Sequence, residues 1–369
     1  MKILVVQDRL RSGGTERQSI LLARAFRAAG HEAHLLTFRP GGALASTAAD
    51  LAPRALQPFD IHLDWFAPGL ISAARQAAPD IILCMGRMAN CYAGSLQRAV
   101  PRAAVVATMR TGKNLPWLFR RSLQRVTHVV ANSHAARAHL VAAHRIAAEK
   151  IDVIHNSLVF PADPTGRATS ERSAVAGALR ASYQATDATT VLVNVAMFRP
   201  EKNQRELIAL AASLPTAPAW QLWLAGDGPE RMACVRLAAS LKLGGRVRFL
   251  NFQRDPAPLY AAADVAVHAS TSESLSNFLI EAQAHGLPAV AYAAQGVDEC
   301  FIPGQTGWAI PSGNRADFHS ALIPLFTASA EERARRSAAA RAYARSTFDT
   351  ARQVTAYLEL FEQLRTTAP

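Results

Sequence analysis

Acidic residues, cysteines and long apolar runs are all scarce in this 369-residue chain, and each shortage excludes something. There are four cysteines, Cys84, Cys91, Cys234 and Cys300, with no CxxC pair and no paired metal spacing. Neither a disulfide framework nor a zinc module is expected, and buried free thiols in a reducing compartment fit. The longest uncharged stretch, Leu207 to Gly226, is broken by Pro215 and Pro218 and carries Ser213, Thr216 and Gln221. It reads as helix, loop and strand in succession, not as a membrane span. The opening MKILVVQDRL has too short an apolar run for a secretory signal. The expected location is therefore the cytoplasm, with a peripheral place at the inner face of the cytoplasmic membrane.

The shortage of acid leaves 40 Lys and Arg against 28 Asp and Glu, a net charge of +12. Such a balance favours an anionic partner: a membrane surface, a phosphorylated substrate or nucleic acid. The basic residues are spread along the chain, with one denser stretch from Arg98 to Arg125. No zinc-finger spacing, aromatic RNA-binding signature or Lys-rich tail accompanies them, so nucleic acid is not the expected partner. What is abundant is apolar surface. Half the residues are hydrophobic and 18% charged, which supports packed cores, and the length suits two domains.

Strand and helix patterns alternate twice. Ile3–Val6 is a continuously apolar, β-branched run, followed by a loop ending in Gly13-Gly14. Thr15 stands three residues before Gln18, the spacing of a capping box, and Gly30 closes the helix it would open. Further strands are expected at 33–38, 81–84, 104–108, 128–131 and 151–154, with helices at 89–99, 115–124 and 135–142. Pro, Thr, Asp and Gly crowd Pro161 to Ser173, where an interdomain linker is expected. Strands then recur at 190–195, 220–225, 246–250, 265–268 and 289–292, with helices at 203–212, 230–241 and 277–285, and 328–364 is helical throughout. Two such series predict an α/β protein with two doubly wound, Rossmann-like sheets, whose strand ends face a cleft.

The segment Ser270–Ala291, STSESLSNFLIEAQAHGLPAVA, carries the sharpest chemistry. Glu273 lies in a polar loop, and Glu281, after seven intervening residues, lies a turn into a helix starting near Ser276. A helix start offers backbone N–H groups and partial positive charge to a diphosphate. A carboxylate one turn in can hold a ribose diol, and one before the helix can reach a sugar beyond the phosphates. On spacing alone an ordinary amphipathic helix capped by Ser276 is the simpler reading.

The segment resembles the signature of glycosyltransferase family 4, of the GT-B fold class. There a Glu, seven residues and a second Glu precede a small-residue turn, here Gly286-Leu287-Pro288, and a strand. Gly13–Arg17, Ala131-Asn132-Ser133, Ile151–Asn156, Pro200–Asn203, Gly226–Pro229 and Gly296–Gly307 follow the family's order, so the resemblance covers most of the chain. It implies a GT-B architecture with an acceptor domain over 1–162, a nucleotide-sugar domain over 163–345, and a final helix over 346–369 crossing back. It further implies retaining, metal-independent transfer of a hexosyl group from a UDP- or GDP-sugar to a glycan or lipid-linked acceptor, without a cofactor. Cell-envelope or exopolysaccharide synthesis is the implied setting, and the basic balance makes an anionic membrane surface the further expected partner.

By the same resemblance, Lys202 is a donor-phosphate lysine, where an ammonium stabilises charge growing on the leaving group. The family's Arg five positions earlier is replaced by Met197, and Arg199 is the candidate substitute. Glu273, Lys202 and Arg199 make up the expected catalytic set. Donor binding falls to Glu281, to Gly226-Asp227-Gly228, to Asn251, and to Ser274, Leu275, Ser276, Asn277 and Phe278, largely through backbone amides. Gly13 and Gly14 are either a phosphate- or acceptor-facing loop or a plain strand-to-helix turn. Arg110, where relatives place a His, is either an anion holder or a salt-bridge partner. Ser274 and Ser276 depart from the family's Gly and Pro, and Asn251 from a Gly. Arg231 stands where a third glycine would complete a dinucleotide fingerprint, and no P-loop occurs, which disfavours dehydrogenase and NTPase readings. The remaining alternatives are another GT-B enzyme, an epimerase or phosphorylase, and a catalytically silent binding protein of the same fold. Product analysis with and without free phosphate separates the first, and donor hydrolysis lost in Glu273→Ala excludes the second.

Overall fold

The computed structural model describes residues 1–158, 160 and 167–367. The chain forms two compact units, one of Met1–Ser157 plus the chain from Thr350 onward, the other of Leu158–Asp349. The linker expected at Pro161–Ser173 falls, over 161–166, outside the described residues, as does the 162–163 boundary. From Arg167 the chain is helical.

The first unit has seven strands, the central ones built on apolar runs: β1 (Lys2–Gln7), β2 (Glu32–Thr37), β3 (Arg54–Ala55), β4 (Ile81–Cys84), β5 (Ala104–Met109), β6 (His128–Ala131) and β7 (Ile151–Val153). All are parallel, in the order β3-β2-β1-β4-β5-β6-β7. Ile3 stands opposite Ala33 on one side and Ile81 on the other. Helices α1 (Gly14–Ala28), α2 (Leu70–Ala77), α3 (Arg87–Ala99), α4 (Trp117–Arg125) and α5 (His134–His144) cover the faces. The central strands are buried on both sides, as a covered parallel sheet requires.

The second unit holds α6 (Arg167–Ser182), β8 (Thr190–Val195), α7 (Gln204–Ala212), β9 (Trp220–Ala225), α8 (Arg231–Ser240), β10 (Val247–Leu250), α9 (Ala257–Ala262), β11 (Val265–His268), α10 (Asn277–Ala284), β12 (Ala289–Tyr292), β13 (Gly307–Ile310), α11 (Arg315–Phe326) and α12 (Ala330–Thr347). Its sheet is also wholly parallel, ordered β10-β9-β8-β11-β12-β13. The last helix, α13 (Thr350–Thr367), belongs to the first unit. Its Val354, Tyr357 and Phe361 share one face and are buried, with Tyr357 edge-on and Phe361 tilted against Phe26 of α1, ring centroids 6.2 and 5.6 Å away. Each of these rings contributes roughly 1.5–3 kcal/mol by leaving water.

Two expectations are corrected, and some elements are new. Thr15 and Gln18 do not form a capping box: Gly13 is the cap residue and makes no side-chain bond. Gln18 is instead drawn to a distant backbone, its Nε2 donating to Ser157 O at 2.6 Å and its Oε1 accepting from Ser157 N at 3.2 Å. The helical region 328–364 is two helices, α12 capped by Ser329 and broken after Thr347, then α13. The strands β3 and β13 and the helices α2, α6, α9 and α11 are additions, α11 carrying Pro324 inside it. Among the described residues no helix is long and apolar enough to cross a membrane.

Candidate active site

The chemistry-bearing residues of the second unit collect where β8 and β11 end. After β8 the chain makes a short turn, Pro200–Lys202, entered from Arg199 and left through Asn203 in the left-handed region at φ 52°. After β11 a polar loop leads to α10. The two loops are stitched together, since Ser270 Oγ and Thr271 N both donate to Glu201 O at 2.9 Å. That stitching brings Lys202 Nζ within 2.5 Å of Glu273 Oε1.

Glu273 is 8% exposed, and the same oxygen faces His268 Nε2 at 2.9 Å. Burial alone would raise its carboxyl, but the Lys202 ammonium and the His268 hydrogen bond outweigh burial and hold it well below the usual carboxylate range. Glu273 is therefore ionised. His268, 1% exposed at the end of β11, has its other nitrogen 3.4 Å from Asn194 Nδ2, which also donates to Val267 O at 2.9 Å. With Nδ1 facing a donor, the proton belongs on Nε2, aimed at Glu273. His268 and Asn194 were not singled out in the sequence. A histidine five positions before a candidate glutamate, at a strand end, was the available signal.

Ser276 caps α10, accepting from Leu279 N at 3.5 Å, and its Oγ lies 3.5 Å from His268 Nε2. The helix start thus opens beside the Lys202–Glu273 pair. Ser274 and Ser276 are buried, and the side chains of Leu275 and Phe278 belong to the hydrophobic core. What this turn offers a ligand is backbone. One turn further on, Glu281 is half-buried and accepts a hydrogen bond from Tyr260 OH at 2.7 Å, with the Tyr260 ring beside Phe278 and His285. Arg199 is half-buried, and its guanidinium makes no hydrogen bond among the described residues.

The glycines of Gly226-Asp227-Gly228 answer first to the fold. Their φ values are 145° and 148°, and a Cβ would lie 2.1 Å from Ala196 O at one and 2.4 Å from Phe198 O at the other. Phe198 N donates to Asp227 O at 2.9 Å, which fixes this turn against the one leading to Arg199 and Lys202. Asp227 is exposed and caps Gly228 N. Asn251, a departure from the family pattern, meets Arg231, which stands where a dinucleotide fingerprint would have its third glycine: Arg231 Nη2 donates to Asn251 Oδ1 at 3.3 Å.

Gly13, Gly14 and Arg110 lie in the first unit. Gly13 has an extended backbone at φ −80°, so its turn does not itself demand glycine, but a Cβ there would lie 2.4 Å from Glu16 Oε2 and that side chain would have to move. Arg110 is a cross-link inside that unit. Its guanidinium donates to Asn156 Oδ1 and, at 2.8 Å, to Tyr357 OH on α13, tying the ends of β5 and β7 to the last helix.

Comparison with known proteins bears on the family and the fold. Residues 12–158 match the family model described as Glycosyltransferase Family 4, and 177–343 that described as Glycosyl transferases group 1. Over 132 residues the chain is 36% identical to the lipopolysaccharide core biosynthesis glycosyltransferase LpsE of Rhizobium meliloti, a match covering 36% of this chain and 38% of the relative. Over 147 residues it is 29% identical to N-acetyl-alpha-D-glucosaminyl L-malate synthase of Bacillus anthracis, covering 40% of this chain and 39% of that one. Less than half of each relative is thus matched. Among solved structures, Anabaena HepE in complex with UDP-glucose superposes with a TM-score of 0.81 at 23% identity, over 98% of this chain and 100% of that one. A glycosyltransferase from Rickettsia africae gives 0.79 at 19% identity, over 99% of each. Two parallel-sheet units of this order, with both family models in their expected places, make the chain a member of glycosyltransferase family 4 with the GT-B fold.

Proposed function

We propose that the chain moves a sugar from a nucleoside-diphosphate sugar to a glycan or lipid-linked acceptor during polysaccharide or lipopolysaccharide synthesis, with retention at the anomeric carbon. The observation that carries this reading is the meeting of Lys202 and Glu273, far apart in sequence, at 2.5 Å beside a helix start. An ammonium and backbone amides converge there, as a departing diphosphate needs. The names of the relatives, a lipopolysaccharide core enzyme among them, and of a structural neighbour holding UDP-glucose support the same chemistry.

In this reading the bond from the anomeric carbon to the diphosphate oxygen breaks as the acceptor hydroxyl adds on the same face. The hydroxyl proton passes to the leaving phosphate. Lys202 and Arg199 neutralise charge on that phosphate, and no metal ion or cofactor is invoked. Glu273, kept ionised and oriented by His268, accepts hydrogen bonds from donor-sugar hydroxyls. Glu281, aimed by Tyr260, accepts from the ribose diol. UDP and GDP are the candidate carriers.

A thermal-shift screen of nucleoside diphosphates and their sugars tests this first, since a ligand at about 100 times its Kd adds roughly 2.7 kcal/mol to native stability. The expected outcome is a shift with one base, lost in Lys202→Ala, followed by acceptor-independent donor hydrolysis that Glu273→Ala abolishes. NMR of the product's anomeric centre reads out retention. Absence of any nucleoside-diphosphate shift in the unmodified protein overturns the reading.

A further inference from the structure

Lys202 and Glu273 are the two side chains that the donor reading needs most, and in the structure they hold each other. Lys202 Nζ lies 2.5 Å from Glu273 Oε1, and its side chain is bonded to no other acceptor among the described residues. The loops that carry them are joined at Glu201 O, so the meeting is preset by backbone.

Glu273 is nearly enclosed. Around it stand Lys202 from the turn after β8, His268 at the end of β11, and Cys300 on the turn Asp298–Cys300. Cys300 Sγ lies 3.3 Å from Gly296 O and 3.8 Å from Ser276 O, and burial pushes its thiol up, so it adds no charge. Of the ammonium and guanidinium groups, only Lys202 meets this carboxylate among the described residues. Lys202 and His268 both address Oε1, and no described residue is bonded to Oε2.

We propose that this pair makes the site select a sugar-bearing nucleotide over a nucleoside diphosphate without the sugar. A diphosphate that engages Lys202 either draws the ammonium off Glu273 or sets a second anion beside it. Either way a buried carboxylate loses compensation. Sugar hydroxyls just beyond the phosphates restore it by donating to Glu273, with Oε2 there to accept. A diphosphate alone brings no such donor. After transfer the exchange runs backward: the sugar departs, Glu273 regains its claim on Lys202, and the spent nucleotide is held more weakly. This selectivity rests on the donor reading and is separable from it, because a donor site can bind both kinds of nucleotide equally well.

The probes are a panel of UDP- and GDP-hexoses and the methyl diphosphate esters of uridine and guanosine, which carry the same charge but no sugar hydroxyls. With the base that binds, calorimetry on the native chain should show the best hexose nucleotide at least about tenfold tighter than the methyl ester. Glu273→Gln abolishes the stranded charge. It should bind the ester roughly tenfold more tightly than the native chain does and lose most of the preference for the hexose nucleotide. That gain of affinity also reports a folded variant. The native chain alone supplies a second readout. At about pH 5 the ester should bind with uptake of a proton by the Glu273–His268 couple, seen as a buffer-dependent heat, and the hexose nucleotide with much less. A Glu273→Gln protein no tighter for the ester than the native chain overturns the proposal. So does one tighter by the same factor for both probes, which is a plain field effect, and so does equal proton uptake with both. If no nucleotide of the panel binds the native chain, the donor reading itself falls.

Discussion

Replacing Lys202 by Met tests the Lys202–Glu273 pair most directly, because it strands a carboxylate that is only 8% exposed. Removing one partner of a fully buried pair costs about 3–5 kcal/mol. Lys202 is 26% exposed and the His268 hydrogen bond to Glu273 survives, so the expected loss is about 2 kcal/mol. At about 2–4 °C per kcal/mol for a unit the size of Leu158–Asp349, the melting temperature of that unit should fall by about 4–8 °C. The pH dependence has a definite sign. In the native chain the Glu273 carboxyl lies below its ordinary value of 4.5, so its contribution is complete above that pH and fades as the pH falls. In the variant burial is no longer outweighed, the carboxyl moves up, and protonation relieves the penalty. The gap between the two proteins should therefore narrow as the pH falls toward the ordinary glutamate range. Lys202→Met/Glu273→Gln should recover most of the loss, because the stranded charge is gone. Scanning fluorimetry across this pH range suffices. A single variant as stable as the native chain at neutral pH, or a double variant no better than the single, would refute the electrostatic account.

Other substitutions probe separate parts of the structure. Burial pushes the Asp8 carboxyl up to about 6, against hydrogen bonds from Met88 N and Ala89 N at the start of α3. A raised acid favours the folded state while protonated, so stability should decline between about pH 4 and pH 6, and Asp8→Asn should remove this component, on the order of 2 kcal/mol, from the melting profile. Gly228→Ala places a Cβ 2.4 Å from Phe198 O at a φ of 148°, and should cost about 2 kcal/mol or more in denaturant unfolding. Arg110→Met should destabilise by about 2 kcal/mol and Tyr357→Phe by about 1, with nucleotide affinity unchanged in both by calorimetry. Loss of donor binding in Arg110→Met without destabilisation would return that residue to the ligand. His268→Asn should lower kcat more than it raises KM and shift the acid limb of the pH profile upward, since Glu273 loses the donor that helps keep it ionised.

The sequence is most legible where one physical signal dominates. Ile81–Cys84 and Trp220–Ala225 are strands because a short apolar run buried on both faces has few alternatives. Gly307–Ile310 is a half-buried edge strand whose run is too short to stand out, and Pro324 hides α11 by interrupting its helical pattern. The capping-box spacing of Thr15 and Gln18 was misleading for a different reason. Gln18 serves a contact with Ser157, far away in sequence, which local spacing does not encode. The same holds at the candidate site. Glu273 and Glu281 are visible through their separation along the chain, but their orienting partners, His268 and Tyr260, are chosen by tertiary packing. Gly226 and Gly228 looked like a ligand-facing loop, and their immediate constraint is the backbone of Ala196 to Phe198.

The return of α13 to the first unit has a consequence for biosynthesis. A ribosome releases the whole of the second unit's chain, through Asp349, before the segment that seals Phe26 becomes available. The earlier-made unit must therefore wait, its hydrophobic seam open, while its later-made neighbour can finish first. Premature termination just after Asp349 would spare the second unit and spoil the one translated at the outset. Chaperone dependence should accordingly track the length of that delay more than the stability of either sheet.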